Sequence, residues 1–285
     1  LFAVGGMYGV VQVAEWRPEL KNLVLLRRIG ALAEPGGVAV DGQGRVLAGK
    51  NIWNWKDDAL APADVSNVFK LGTPGAWLDA DTLVGLADVY GKTSVAMGCF
   101  EEEGMMCNRL DKLEVPKKLV GVALYREQPG RKGGWRLLVL GAAGAARVHE
   151  IAEDRRNPWR RDLGEVSLQA AAPVKTFTSV TMKDPETLLA AGDGQVIEFG
   201  RDGAGWKETG RWSDGFGPKL RLAVSGGQLA VADADKNRVA LYRLSDRVKV
   251  AETSVAAPTE IALNGGFLVV YDSAGQRLMK YKQAP

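Results

Sequence analysis

The stretch Leu220-Arg-Leu-Ala-Val-Ser-Gly-Gly-Gln-Leu-Ala-Val-Ala-Asp-Ala-Asp-Lys-Asn-Arg-Val-Ala-Leu-Tyr242 decides the fold. It reads as a strand, a Gly-Gly turn, a second strand, a polar turn and a third strand, with a fourth expected at 248–253. The pattern then returns as Thr259-Glu-Ile-Ala-Leu-Asn-Gly-Gly-Phe-Leu-Val-Val-Tyr-Asp-Ser-Ala-Gly-Gln-Arg-Leu-Met-Lys-Tyr281. Val239 of the first copy aligns with Leu278 of the second, a spacing of 39 residues.

Looser copies precede these. Residues 187–199 match the second and third strands, with 207–212 as a fourth, and 135–151 followed by 159–166 do the same. Residues 37–49 supply a first and second strand; 1–16 with 23–29 read as strands two to four. Second strands are nearly continuous apolar runs such as Leu-Ala-Val-Ala and Leu-Val-Val-Tyr, as expected of strands covered on both faces. Third strands alternate, as in Val239-Ala-Leu-Tyr-Arg, which predicts one drier and one wetter face. A lone four-stranded sheet cannot bury both faces, so each must stack on neighbours until a ring closes. The expectation is an all-β fold, a β-propeller of four-stranded blades, with residues 1–285 as a single domain. Counting strands expected at 82–87, 94–99 and 110–115 as a blade gives seven blades; treating 72–118 as an insertion gives six. The chain starts on a second strand and stops after a third. Either its ends share a blade or it is a module of a larger polypeptide.

The segments Leu229-Ala-Val-Ala-Asp-Ala-Asp-Lys-Asn-Arg-Val and Phe267-Leu-Val-Val-Tyr-Asp-Ser-Ala-Gly-Gln-Arg-Leu resemble the NHL-repeat propellers. In those an Asp ends the second strand and an Arg opens the third. Asp233 with Arg238, and Asp272 with Arg277, keep one five-residue spacing. The resemblance implies a structural role, carboxylate and guanidinium bracing the turn and its amides. Arg147 keeps the Arg without the Asp, and Asp193 the Asp without the Arg. The resemblance also implies that turns between second and third strands share a face with the links between blades, where ligands bind.

Composition excludes several classes. The 285 residues are 46% hydrophobic and 25% charged, ordinary for a globular chain, and 35 Gly against 12 Pro suit many tight turns. A formal charge of +3 predicts no dominant pull toward nucleic acid or anionic lipid. No apolar run nears the roughly 20 residues that span a bilayer. The first residue is Leu1 rather than Met, so a processed or trimmed product is expected. Cys99 and Cys107 flank a polar, Gly-containing segment and are candidates for a disulfide, which would place the protein in a secreted or periplasmic setting. Two unrelated thiols in a reducing compartment are the alternative.

Two departures from the repeat draw attention on the expected ligand face. Asn51-Ile-Trp-Asn-Trp-Lys-Asp-Asp58 puts Trp53 and Trp55 two apart, on one face of an extended segment. Exposed indoles stack on sugar rings or peptides, and Asp57 and Asp58 would accept hydroxyl hydrogen bonds beside them. Indoles turned inward to plug a seam are the competing picture. Glu101, Glu102 and Glu103, between the cysteines, offer a carboxylate to a partner or a general acid, although such runs are more often solvated tips.

Other patterns fail on their own spacing. Asp233-x-Asp235-x-Asn237 begins like a calcium loop, but Arg238 stands where Gly is wanted and Leu244 where Glu is wanted. Gly85 with Gly91-Lys-Thr93 has the wrong interval for a phosphate loop, and a strand follows in place of a helix. Four arginines and Trp159 cluster over 154–162 at an expected third-to-fourth-strand hairpin on the opposite rim, an isolated cluster on a near-neutral chain. His149 is the only histidine, so a multi-histidine metal site is impossible and any Ser-His-Asp triad would need it. No cofactor and no metal are expected. The functional expectation is a non-catalytic propeller engaging a carbohydrate or protein partner, or further domains of its own polypeptide, through one face. The alternative is a propeller-type lyase or hydrolase using acids such as Glu102 or Asp57 at the axial channel.

Overall fold

The computed structural model describes residues 3–5, 11–13, 23–29, 37–42, 44, 46–48, 51–53, 63–64, 70–71, 76–77, 82–89, 92–101, 104–109, 115–126, 134–151 and 160–283. Among them there is no α-helix, and no helix long and apolar enough to cross a membrane. The described strands make six sheets of four or five strands and one two-stranded hairpin, Ala3–Gly5 with Val11–Val13. In chain order, sheet 1 covers residues 38–64, sheet 2 70–109, sheet 3 119–166, sheet 4 168–212 and sheet 5 220–254. Sheet 6 joins Pro258–Asn264, Phe267–Asp272 and Arg277–Gln283 to Leu23–Ile29 from the other end of the chain.

First strands of successive sheets pack side by side, Leu119–Arg126 on Phe177–Asp184, then Leu220–Ser225, Pro258–Asn264 and Val38–Val40. Five of them line one axial cavity. Sheets radiating from a shared axis make this a β-propeller. The described residues show six sheets of four or five strands, and the two ends of the chain meet in one of them. The segment 72–118 does contribute to a sheet, but Leu23–Ile29 pairs antiparallel with Arg277–Gln283, Leu278 opposite Ile29 and Gln283 opposite Leu23. The strand Leu23–Ile29 therefore supplies the fourth position of sheet 6, while Ala3–Gly5 and Val11–Val13 pair in a hairpin of their own.

Second strands feed two cores at once. Leu229 and Val231 pack between sheets 4 and 5, while Ala230 and Ala232 pack between sheets 5 and 6. Leu188 and Ala190 likewise face sheet 3, and Leu189 faces sheet 5. Period-two geometry sends alternate side chains to opposite interfaces, so both sets must be apolar. Burying each Leu contributes about 1.5–3 kcal/mol.

Third strands differ from the expectation of one wet face. Val239, Ala240, Leu241 and Tyr242 are all buried, and so is Lys280 in the equivalent strand of sheet 6. The Lys280 ammonium donates to the Gly44 carbonyl at 2.6 Å and lies 4.3 Å from the centre of the Phe267 ring, so a charged residue occupies a dry seam with its hydrogen bond met. Solvent instead meets the fourth strands, such as Lys249–Ser254, where exposed and buried positions alternate.

Candidate functional site

Each sheet has two ends. Links between sheets and turns between second and third strands emerge at one, the link face; the remaining turns emerge at the other. On the link face, short polar side chains in the turns clasp the links. Asp233 accepts from the Gly217 amide at 3.1 Å and the Lys236 amide at 3.2 Å, and Asp235 accepts from the Lys219 amide at 2.9 Å. Asn237 accepts from the Ala257 amide at 2.9 Å, and Asp193 from the Lys175 amide at 2.7 Å. Asp193 and Asn237 sit at φ 51° and 52°, left-handed backbone that Asp and Asn tolerate. At Gly217 a Cβ would lie 2.5 Å from the Asp235 Cβ, so only glycine lets the link approach this closely.

The two Asp–Arg pairs stand in register at the same hairpin corner. Asp272 is fully buried, accepts from the Gly275 amide at 2.8 Å and meets Arg277 Nε at 2.6 Å. Asp233 is also fully buried and lies 3.6 Å from Arg238 Nε, while Arg238 turns additionally to Glu252 at 3.3 Å and to the Asp214 carbonyl at 2.5 Å. The Asp214 carboxylate accepts from the Tyr242 hydroxyl at 2.7 Å and Lys249 at 3.0 Å. The Tyr242 bond leads in holding Asp214 below the ordinary carboxylate value, and burial, then Asp214, pushes the Tyr242 phenol up. Arg147, which lacks an Asp on its second strand, takes one from the fourth: Asp162 binds its guanidinium at 3.1 and 3.0 Å through Nε. That contact leads in lowering the Asp162 pKa to about 2. His149 is fully buried, its Nδ1 3.5 Å from Asp162.

The mouth of the axial channel opens on the link face, where first strands begin. In sheets 4, 5 and 6 the second residue of the first strand is Thr178, Arg221 and Thr259. Arg221 spans all three sheets: Nη1 donates to the Thr178 carbonyl, Nε donates to the Thr259 carbonyl at 3.3 Å, and Glu260 Oε1 lies 3.5 Å from Nε. A cavity of about 240 Å³ opens here, with Thr178, Lys219, Arg221, Thr259 and Glu260 among its walls. Deeper in, Ser179 Oγ accepts from the Leu222 amide at 3.0 Å. Further along the same first strands lies a second space of about 240 Å³ walled by Val38, Val122, Leu124, Val180, Leu222, Ile261 and Leu263, with Thr181, Ser225 and Asn264 as polar side chains. No carboxylate lines that space among the described residues, and no cluster of His, Cys, Asp or Glu there is arranged to hold a metal.

The residues first singled out lie elsewhere. Asn51–Trp53 is a third strand, with Trp53 opposite Val46, rather than a loop on the link face. Trp53 ends that strand, and Trp55, Asp57 and Asp58 fall outside the described residues. Cys99 and Cys107 belong to paired strands, Lys92–Glu101 and Gly104–Arg109, not to a loop; Glu102 falls outside the described residues. Cys99 stands opposite Met106 and Cys107 opposite Gly98. Successive strand positions belong to opposite faces, so this register does not set the two cysteines facing one another.

Arg221, Glu260, Thr178 and Thr259 escaped sequence reading because each sits in an ordinary-looking strand. Their signal is a column, not a motif: aligned by register, one position holds Gly121, Ser179, Arg221 and Glu260, and Val120, Thr178 and Thr259 are the bulged residues just before it in sheets 3, 4 and 6.

No protein-family model matches the chain, and no curated protein matches it. Among solved structures, a chain of the mitotic checkpoint complex is similar at 10% identity and a TM-score of 0.49, over 91% of this chain and 94% of that one. The β-propeller domain of Cps50 (Swd1) from Myceliophteria thermophila is similar at 10% identity and a TM-score of 0.49, over 99% of this chain and 98% of that one.

Proposed function

We propose that this chain is a non-catalytic binding propeller that engages a protein partner through the link face. The observation that carries this reading is the composition of the axial channel: at its mouth the one carboxylate among the described residues, Glu260, lies against Arg221, and the described walls below are mostly aliphatic, with Thr181, Ser225 and Asn264 as neutral polar side chains and no titratable group. A hydrolase or lyase needs at least one titratable group aimed at its substrate. The link face is also the rigid one, since Asp193, Asp233, Asp235 and Asn237 pin each link to the neighbouring turn, and a preorganised surface loses less freedom on binding. We read the repeats as NHL-type on the strength of the Asp233–Arg238 and Asp272–Arg277 pairs.

The test compares two faces. Lys175, Lys219 and Lys236 are exposed on the link face, whereas Asp202 and Arg243 are exposed at the opposite end. Reversing the three lysines to Glu is expected to remove partners recovered from extracts of the native cells by quantitative affinity capture. Asp202→Lys with Arg243→Glu is expected to retain them. Loss only with the second set would overturn the reading.

A further inference from the structure

We propose that the sector of the channel mouth between sheets 4, 5 and 6 is a pocket for a carboxylate carried by an acidic segment of the partner, an inference that rests on the binding-face reading above. The pocket has the volume for one side chain, about 240 Å³. Its base is a guanidinium held from behind. The Thr178 and Thr259 carbonyls and Glu260 fix Arg221, whose side chain still keeps 28% exposure. Glu260 is nearly buried at 6%, and its Oε1, 3.5 Å from Arg221 Nε, helps to position the cation.

Thr178 and Thr259 also wall the pocket. The Thr178 and Thr259 hydroxyl oxygens are both buried and have no hydrogen-bond partner among the described residues. Buried hydroxyls are ordinarily paired, and leaving one unpaired costs more than a hydrogen bond returns. Two of them flanking one arginine at equivalent positions of neighbouring sheets is what an oxygen-rich guest requires. Lys219 stands exposed at the rim and adds a second cation. With Arg221 and Lys219 against Glu260, the pocket carries one net positive charge. A monoanionic carboxylate balances it and accepts from both hydroxyls. A dianionic phosphate would bring uncompensated charge close to Glu260, and a cationic guest would meet like charge from Arg221 and Lys219.

The test uses three fluorescein-labelled decapeptides of alternating Gly with Glu, Gln or Lys, followed by anisotropy with the whole chain at low salt. The Glu peptide is expected to bind at least about tenfold more tightly than the Gln or Lys peptide, charge-assisted bonds being roughly twice as strong as neutral ones. Thr178→Val with Thr259→Val is expected to weaken the Glu peptide about tenfold while leaving the melting temperature unchanged or higher, because the hydroxyls have no partner to lose. Equal affinity for Glu and Gln peptides overturns the inference. So does a valine pair that binds like the parent, or one that melts lower and thereby reveals a structural role. If the peptides fail while the link-face lysine variants still lose their partners, the carboxylate pocket falls and the binding-face reading stands.

Discussion

Replacing Asp272 with Ala tests whether the hairpin corners are held by buried charge. Asp272 is fully buried and has two partners, the Gly275 amide at 2.8 Å and Arg277 Nε at 2.6 Å. Losing a hydrogen bond to a charged group costs about 1.5–3 kcal/mol, and breaking a fully buried ion pair about 3–5 kcal/mol. The Arg277 side chain is 32% exposed, so water recovers part of its charge once the carboxylate is gone. The expected loss is therefore about 2–3 kcal/mol, well under the fully buried limit. For a chain of this size that lowers the melting temperature by roughly 5–10 °C. Asp272→Asn keeps an acceptor for Gly275 and is expected to lose about half as much. Urea unfolding at constant m-value measures both, and a double-mutant cycle with Arg277→Ala should return a coupling of about 1–2 kcal/mol. An Asp272→Ala variant within about 0.5 kcal/mol of the parent, the range of an ordinary surface change, would refute the bracing argument.

Two further outcomes follow from named contacts. The Asp162 pKa is lowered to about 2, first by Arg147, so its folded value lies below the unfolded value near 3.9 and the stability it contributes is present above about pH 4 and disappears as pH falls toward 2. Carboxyl-resolved NMR titration should show that depressed value, and Arg147→Gln should return it toward 4; an unchanged titration would contradict the assignment. The strand register predicts that Cys99 and Cys107 are both free thiols, so alkylation of the denatured chain without reductant should modify two cysteines, and modification of none would require a different register.

How much was legible varies with the range of the interaction. Second strands announced themselves because both faces are buried: Leu229-Ala-Val-Ala and Phe267-Leu-Val-Val-Tyr leave no polar position to confuse the period. The Asp–Arg corners were legible for a similar reason, since both partners sit five residues apart in one hairpin. Lys280 misled. A lysine in a third strand reads as a wet face, and its carbonyl partner, Gly44, is 236 residues away. The choice between seven blades and six stayed open on the same ground, because nothing local in 23–29 says that it pairs with the far end of the chain. Asn51–Trp53 was read as the beginning of an insertion, where strand pairing makes it a short third strand. Arg221 spans three sheets, so its role becomes visible only when repeats are stacked in space.

Ring closure carries the whole account, because the link face and its channel mouth exist only if Leu23–Ile29 completes sheet 6. In a background with Cys99 and Cys107 changed to Ser, paired cysteines at Val24 and Lys282, which stand opposite one another, should form a disulfide on mild oxidation and give a compact, faster-migrating band. A control pair at Val24 and Lys249 should not. Failure of the first pair, or equal crosslinking of both, would contradict the closed propeller.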